Sequence, residues 1–302
     1  MFPGDPALVA DTTFLTACLN GGTSRDEHPA VPFSPEELAA EARSAAASGA
    51  RAIHVHPRSA AGAQSLAPSD VLPAVAAIRA ATGLPVGVTT GIWAVSGDTV
   101  SGDTVSGDTV SGDTVSGDTV SGDTVSRARV SRDTVSRATV SRATARRLAL
   151  VAGWTGPDKP DFASVNVNEP GIDALADLLI ESLGIPVEAG VWTVADVDLL
   201  AGSTLASRAF QVLLEPTSRV ASEAVAVASA ASVALLERGI AVPQVHHGYG
   251  LATWDVIRWA AGAGFRVRIG LEDTTVLPDG AVAAGNGDLV AAAMRLAAEA
   301  GR

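Results

Sequence analysis

The sequence predicts a (β/α)8 barrel, an α/β fold in which eight parallel strands each lead into a helix. Eight short apolar runs, each followed by a helix-like stretch, cross the chain. Setting aside a low-complexity repeat at 96–145, the 302-residue chain comes down to about the 250 residues usual for one such barrel. Polar residues gather at the C-terminal ends of the runs, which is where barrels of this kind build their sites. The expectation is therefore one barrel over residues 1–302, with 96–145 inserted after the third strand.

The first run, 14–20, is Phe-Leu-Thr-Ala-Cys-Leu-Asn. Ser34-Pro35-Glu36-Glu37 then opens a helix as a capping box with proline at the first helical position, and Gly49 closes it. After the second run, 52–57, Ser69-Asp70 opens the next helix and Gly83 ends it. The third run, 85–91, finishes on Thr89 and Thr90. Ser-Gly-Asp-Thr-Val follows six times over 96–125, then in four degraded copies to 145. One apolar residue in five fits neither the helical nor the strand period, so this segment is expected to stay flexible. In the fourth run, 163–168, Ser164, Asn166 and Asn168 alternate with Val165 and Val167. The fifth, 186–192, sets Glu188 between Val187 and Ala189, and the sixth, 209–215, ends on Glu215. In the seventh, 242–247, Gln244 and His246 alternate with Pro243 and Val245. Pro243 lacks a backbone donor and fits only at the strand's start. The eighth, 265–272, carries Arg268 and Glu272 beside Ile269 and Leu271. Throughout, the apolar set is expected to face the helices and the polar set the barrel axis.

Composition narrows the function classes. A hydrophobic content of 47% with mean hydropathy +0.27 supports a large core. A net charge of −12 argues against a nucleic-acid partner, which needs clustered Lys and Arg. The single Cys18 allows no intramolecular disulfide, fits a reducing compartment and reads as a packed strand residue. Neither a signal peptide nor an 18-residue apolar span is visible, so a cytoplasmic location without membrane attachment is expected.

The chemistry-bearing residues concentrate in two strings, His-Val-His-Pro-Arg at 54–58 and Arg-Ile-Gly-Leu-Glu-Asp at 268–273. On a strand His54 and His56 share a face, roughly 7 Å apart along it, and can converge on one cation. Glu272 adds an oxygen, completing a two-imidazole, one-carboxylate set that suits catalytic zinc with a position left open. Satisfied polar residues at a strand end are the competing reading. All five histidines, His28, His54, His56, His246 and His247, fall at such ends or in the loops just after them.

Ala-Cys-Leu-Asn-Gly-Gly (17–22), Arg25, His28-Pro-Ala-Val-Pro (28–32), the His-Val-His-Pro-Arg string, Val-Glu-Ala-Gly-Val-Trp-Thr (187–193) and Arg-Ile-Gly-Leu-Glu-Asp-Thr (268–274) together resemble the β-keto acid cleavage enzyme family. The resemblance covers the whole chain except 96–145. It implies a zinc-dependent barrel that reacts a 3-oxo acid with acetyl-CoA to give acetoacetate and a new acyl-CoA. By motif it places zinc (Zn2+) on His54, His56 and Glu272, and a proton relay on Asp273, Arg268 and Glu188. It places hydrogen-bond donors to the substrate at Thr89, Thr90 and Asn166, although these three could equally hold loop geometry. Some members carry an acidic residue in the first loop, and Asn20-Gly21-Gly22-Thr23 has none. Arg25 and Arg58 are candidates for the coenzyme A phosphates, and a homo-oligomer, commonly a tetramer, is implied. Other metal-dependent barrel hydrolases or aldolases remain open, as does a metal-binding barrel whose catalysis the repeat has impaired.

Overall fold

The computed structural model describes residues 14–96 and 142–300. The flexibility expected for 97–141 thus lies outside the described residues. Eight parallel strands close into a barrel in sequence order: β1 (Leu15–Cys18), β2 (Ala52–Val55), β3 (Val86–Thr89), β4 (Phe162–Asn166), β5 (Val187–Val191), β6 (Gln211–Leu214), β7 (Gln244–His246) and β8 (Arg266–Ile269). The surrounding helices are α1 (Pro35–Ala47), α2 (Pro68–Thr82), α3 (142–151), α4 (Ile172–Asp177, running on into a π-helical turn, Leu178–Ser182), α5 (Val194–Ala201), α6 (Ala221–Glu237), α7 (Ala252–Gly262) and α8 (Asn286–Ala300). The predicted fold class is the observed one.

The strands are short because their job is to bury one apolar face against the helices and aim the other at the axis. Ile53, Val55, Val86, Val88, Val165, Val187, Val212 and Ile269 are fully buried and belong to one core with the helices' inner faces. Inside, the N-terminal end is plugged by Phe14, Ala52 and Phe162, with Phe210 edge-on to Phe162 at 5.7 Å. Gly87 makes room for that plug, since a Cβ there would lie 2.1 Å from the Phe162 ring. Polar groups take over higher up, beginning with Arg266 donating to Gln211 Oε1 at 3.0 Å.

Several expectations hold and several are corrected. Ser34 caps α1 in a complete capping box with Glu37, and Gly83 caps α2 at φ +68°. The opening of α2 is not Ser69-Asp70: Pro68 already supplies a helical φ, so the helix starts there, and Ser65 Oγ binds Asp70 Oδ2 and the Ala67 N–H. The last repeat residues, 142–145, are helical rather than flexible, because they form the first turn of α3. On β7 the alternation is opposite to that expected. Gln244 accepts from Ser232 on α6 at 2.7 Å, and His246 packs against Trp259 and Phe265 at 5.2 and 4.7 Å, so both face the helix layer. Gln244 Oε1, which accepts from the Ser232 hydroxyl, also lies 3.2 Å from His246 Nε2, so the two polar side chains meet each other outside the barrel. Finally, β8 ends at Ile269, and Glu272 stands in the turn beyond it rather than on the strand. Asp273 and Thr274 both donate to the Gly270 carbonyl, which winds the chain into that turn. Among the described residues no helix is long and apolar enough to cross a membrane.

Arg147 on α3 is fully buried and forms an ion pair with Glu169, in the loop after β4. Glu169 also accepts from the Ile92 N–H after β3 (3.0 Å) and from Asn166 Nδ2 (2.9 Å). One carboxylate therefore holds three segments around the third and fourth strand ends. Removing the cation alone strands a buried charge, so Arg147→Met is expected to cost about 3–5 kcal/mol, and pairing it with Glu169→Leu to recover much of that loss. Denaturant midpoints of the two variants check this.

Candidate metal centre

The two strings meet at the C-terminal mouth across one intervening strand. β1 pairs with β2 on one side, Cys18 opposite His54, and with β8 on the other, Thr16 opposite Arg268. Past Ile269 the chain passes so close to β1 that a Cβ on Gly270 would lie 1.9 Å from the Cys18 carbonyl oxygen, and the Glu272 N–H donates to that same oxygen. Gly21, at φ +48°, clears the other side: a Cβ there would lie 2.2 Å from Glu272 Cγ. Glycine at both positions lets the Glu272 side chain lie across β1 toward the histidines.

There Glu272 Oε1 is 3.5 Å from His56 Nε2, and Oε2 is 3.9 Å from His54 Nε2. These ligand atoms all fall within 4.8 Å of one another. Tetrahedral bonds of about 2.0–2.2 Å put neighbouring donors about 3.3–3.6 Å apart, so the set fits a divalent ion such as zinc after a small contraction. Two further observations agree. Among the described residues, Glu272 Oε2 is buried with no hydrogen-bond partner. Burial also pushes His54 down to about 3, outweighing Glu272, so it is the neutral imidazole a metal requires.

Beside this set, Arg268 Nη2 donates to Glu272 Oε1 (2.6 Å) and to Asp273 Oδ1 (3.1 Å). Burial acts against the Arg268 charge, but Glu272 and Asp273 hold its pKa well up. Asp273 Oδ1 also lies 2.9 Å from His247 Nδ1, while Asp273 Oδ2 is buried without a partner among the described residues. His247 Nε2 faces Glu215 Oε2 at 3.2 Å, and Glu215 Oε1 accepts from Trp192 Nε1 at 2.6 Å. Burial and Arg268 lower the His247 pKa, but Asp273 and Glu215 prevail and hold it at about 9.

The structure thus brings His54, His56, Glu272, Arg268 and Asp273 together. Glu188 sits on β5 beside Gln211, whose Nε2 donates to it, and among the described residues it shares no hydrogen bond with Arg268 or Asp273. Burial raises its carboxyl to about 6 against the pull of Arg268. Thr90 spends its hydroxyl on the Ser164 carbonyl (2.6 Å) and Asn166 its amide on Glu169, so both hold loops. Thr89 Oγ1 accepts from the Gly91 N–H at 3.1 Å and retains its proton for a further partner. Arg25 pairs with Glu37 at 2.5 Å, and Arg58 donates to the Gly21 and Thr23 carbonyls. Burial pushes the Cys18 thiol well up, in keeping with a packed residue. His247 and Glu215 were the residues that sequence reasoning passed over. The available signal was their position as the last residue of the seventh and sixth apolar runs.

The sequence matches the beta-keto acid cleavage enzyme family over residues 12–302. Among solved structures, the chain is similar to ObcA in binary complex with oxaloacetate (17% identity, TM-score 0.56, covering 87% of this chain and 62% of that one). It is likewise similar to ObcA in ternary complex with a C4-CoA adduct and oxalate (18%, TM-score 0.57, covering 87% and 62%). The type I 3-dehydroquinate dehydratase from Clostridium difficile, with covalently modified comenic acid, shares the fold at 10% identity (TM-score 0.53, covering 94% and 92%). At these identities the likeness is one of fold, and the chain spans about 62% of the length of ObcA. No curated protein matches the sequence. With the family matched over nearly all of its length and the two strings assembled into one mouth, the chain belongs to the beta-keto acid cleavage enzyme family.

Proposed function

We propose that this chain condenses a 3-oxo acid with acetyl-CoA and splits the adduct into acetoacetate and a new acyl-CoA. The observation that carries the reading is the asymmetry of Asp273. Its Oδ1 is tied by Arg268 and faces His247, whereas Oδ2 is buried and unpartnered among the described residues, one residue from the donor Glu272. A carboxylate held by one oxygen and free at the other is a positioned base. Zinc held by His54, His56 and Glu272 would supply Lewis-acid polarisation of the 3-keto group.

In this reading Asp273 Oδ2 takes a proton from substrate C2, and Arg268 balances the charge that remains. The C2 carbanion forms a bond to the acetyl carbonyl carbon, the thioester C–S bond breaks, and coenzyme A thiolate departs. The thiolate then adds to the original 3-keto carbon and the C2–C3 bond breaks. Acyl-CoA leaves, and the acetoacetate enolate recovers its proton from Asp273. Thr89, with its hydroxyl proton uncommitted, is placed to donate to the substrate carboxylate. Glu188, held near about 6, can keep a proton in reserve below the site. The C4-CoA adduct and oxaloacetate carried by the ObcA structures suit a barrel of this architecture that handles an oxo acid and a coenzyme A ester.

The test is to supply zinc-loaded protein with varied 3-oxo acids and acetyl-CoA labelled in its acetyl group. Label is expected in acetoacetate, with stoichiometric acyl-CoA. Asp273→Asn should lower kcat by about 10²–10⁴-fold while leaving zinc content unchanged. Turnover without any thioester would move the assignment to a hydrolase or aldolase.

The His247 network makes a second expectation. A folded pKa of about 9 lies above the ordinary histidine value of 6.5, so protonation of His247 stabilises the folded state. That contribution is complete below pH 6.5 and is lost as pH rises through about 9. Chelator-treated protein should therefore lose stability over this interval, by up to about 3 kcal/mol at 1.36 kcal/mol per pKa unit, and His247→Gln should flatten the slope. Denaturation at a series of pH values measures it.

A further inference from the structure

The geometry points to Gln64 and Trp93 as the pair that fixes which nitrogen of His56 faces the metal position, an inference that rests on the metal reading above. Gln64 Oε1 lies 2.6 Å from His56 Nδ1 and 3.0 Å from Trp93 Nε1. An indole N–H can only donate, so the Gln64 atom it meets must be the carbonyl oxygen rather than the amide nitrogen. That oxygen can only accept, so the His56 nitrogen sharing it must carry the proton. The ring is then an Nδ1–H tautomer, its Nε2 lone pair directed to the side where Glu272 Oε1 stands at 3.5 Å. A donor-only tryptophan thereby settles the orientation of an amide, and the amide settles the tautomer of a histidine.

The backbone holds all three members in place. After Pro57 the chain doubles back through Gly62 (φ +82°), with Ser59 N–H donating to Ala63 O (2.8 Å) and Ser65 N–H to Pro57 O (2.9 Å). Arg58 and Gln64 pair across this hairpin, which returns Gln64 over the strand end that bears His56. Trp93 follows β3 in a one-turn helix (Trp93–Ser96), its ring seated on Gly91, where a Cβ would come within 2.3 Å. Among the described residues His54 has no such arrangement: its Nδ1 is buried without a partner. Of the two imidazoles, only His56 is locked before a metal arrives. Gln64 and Trp93 are positioning residues, acting on the metal through His56 rather than touching it.

The experiment measures zinc affinity by chelator competition and reads the His56 tautomer from long-range ¹H–¹⁵N spectra of the ring nitrogens. Gln64→Leu removes the acceptor and should weaken zinc binding about 10–100-fold, the usual loss for an outer-shell partner. Gln64→Glu keeps an acceptor for both donors and should retain affinity close to the unaltered protein, with His56 still protonated at Nδ1. Trp93→Phe keeps the ring and deletes the N–H, and should let the Gln64 amide flip, giving mixed His56 tautomers in the metal-free protein. Zinc affinity in Gln64→Leu equal to the unaltered protein, or His56 protonated at Nε2, would overturn the inference while leaving the metal site standing. If the unaltered protein binds zinc no better than Glu272→Gln, the metal reading itself fails and the inference goes with it.

Discussion

Everything at the mouth depends on how closely β8 closes against β1. The chain crosses Cys18 at Gly270 with no room for a side chain, and Glu272 then hangs its backbone N–H on the Cys18 carbonyl. This contact converts two strings more than two hundred residues apart into one site, because it sets the height at which Glu272, Arg268 and Asp273 emerge relative to His54 on the far side of β1. A barrel closed less tightly would leave the carboxylate short of the imidazoles. The two glycines flanking Glu272 are thus part of the site, although neither carries any chemistry.

The charges gathered there make sense only as a group. Glu215, Glu272 and Asp273 are three buried or nearly buried carboxylates, facing two cations, Arg268 and a protonated His247. Burying charge is tolerable when it is paired and hydrogen-bonded. His247 bridges Glu215 and Asp273 while Arg268 bridges Glu272 and the same Asp273, so each cation serves twice and these five groups are left one negative charge in excess. Under the proposed reading, a divalent ion reverses that sign, and the carboxylate of a 3-oxo acid restores neutrality. The cluster is therefore better matched to a metal with an anionic substrate than to either alone.

Sequence reasoning placed a side chain correctly where its position follows from periodicity and misplaced it where that depends on what lies opposite. His54 and His56 were legible because alternation on a strand puts them on one face, and Glu272 because its string recurs in the family. On β7 the same alternation logic chose the wrong face: polar Gln244 and His246 looked inward-facing by type, yet Ser232 and two aromatic rings receive them outside the barrel. His247 then points to Asp273 instead. Asn20 shows the reverse case. In sequence its loop is notable only for lacking an acidic residue, whereas its amide donates to the Pro32 and His56 carbonyls and its oxygen accepts from the His56 N–H. It braces the strand end that carries His56, a long-range partnership that no local pattern announces.

The segment that carries the fifty-residue repeat is braced at both ends in the same way. The connection from β3 leaves at Ile92 and returns at Arg147, and both are fastened to Glu169, which also holds Asn166 at the end of β4. With the two ends of the excursion anchored on one buried carboxylate, the barrel's geometry is decided at the anchor. The cost of lengthening a connection whose ends are already held grows only logarithmically, about 0.6 kcal/mol for each doubling. Tandem growth between Ile92 and Arg147 therefore adds little to the cost of closing the barrel. It also leaves Thr89, Gln64 and the strand end that bears His56 in register, because each is secured by contacts outside the repeat.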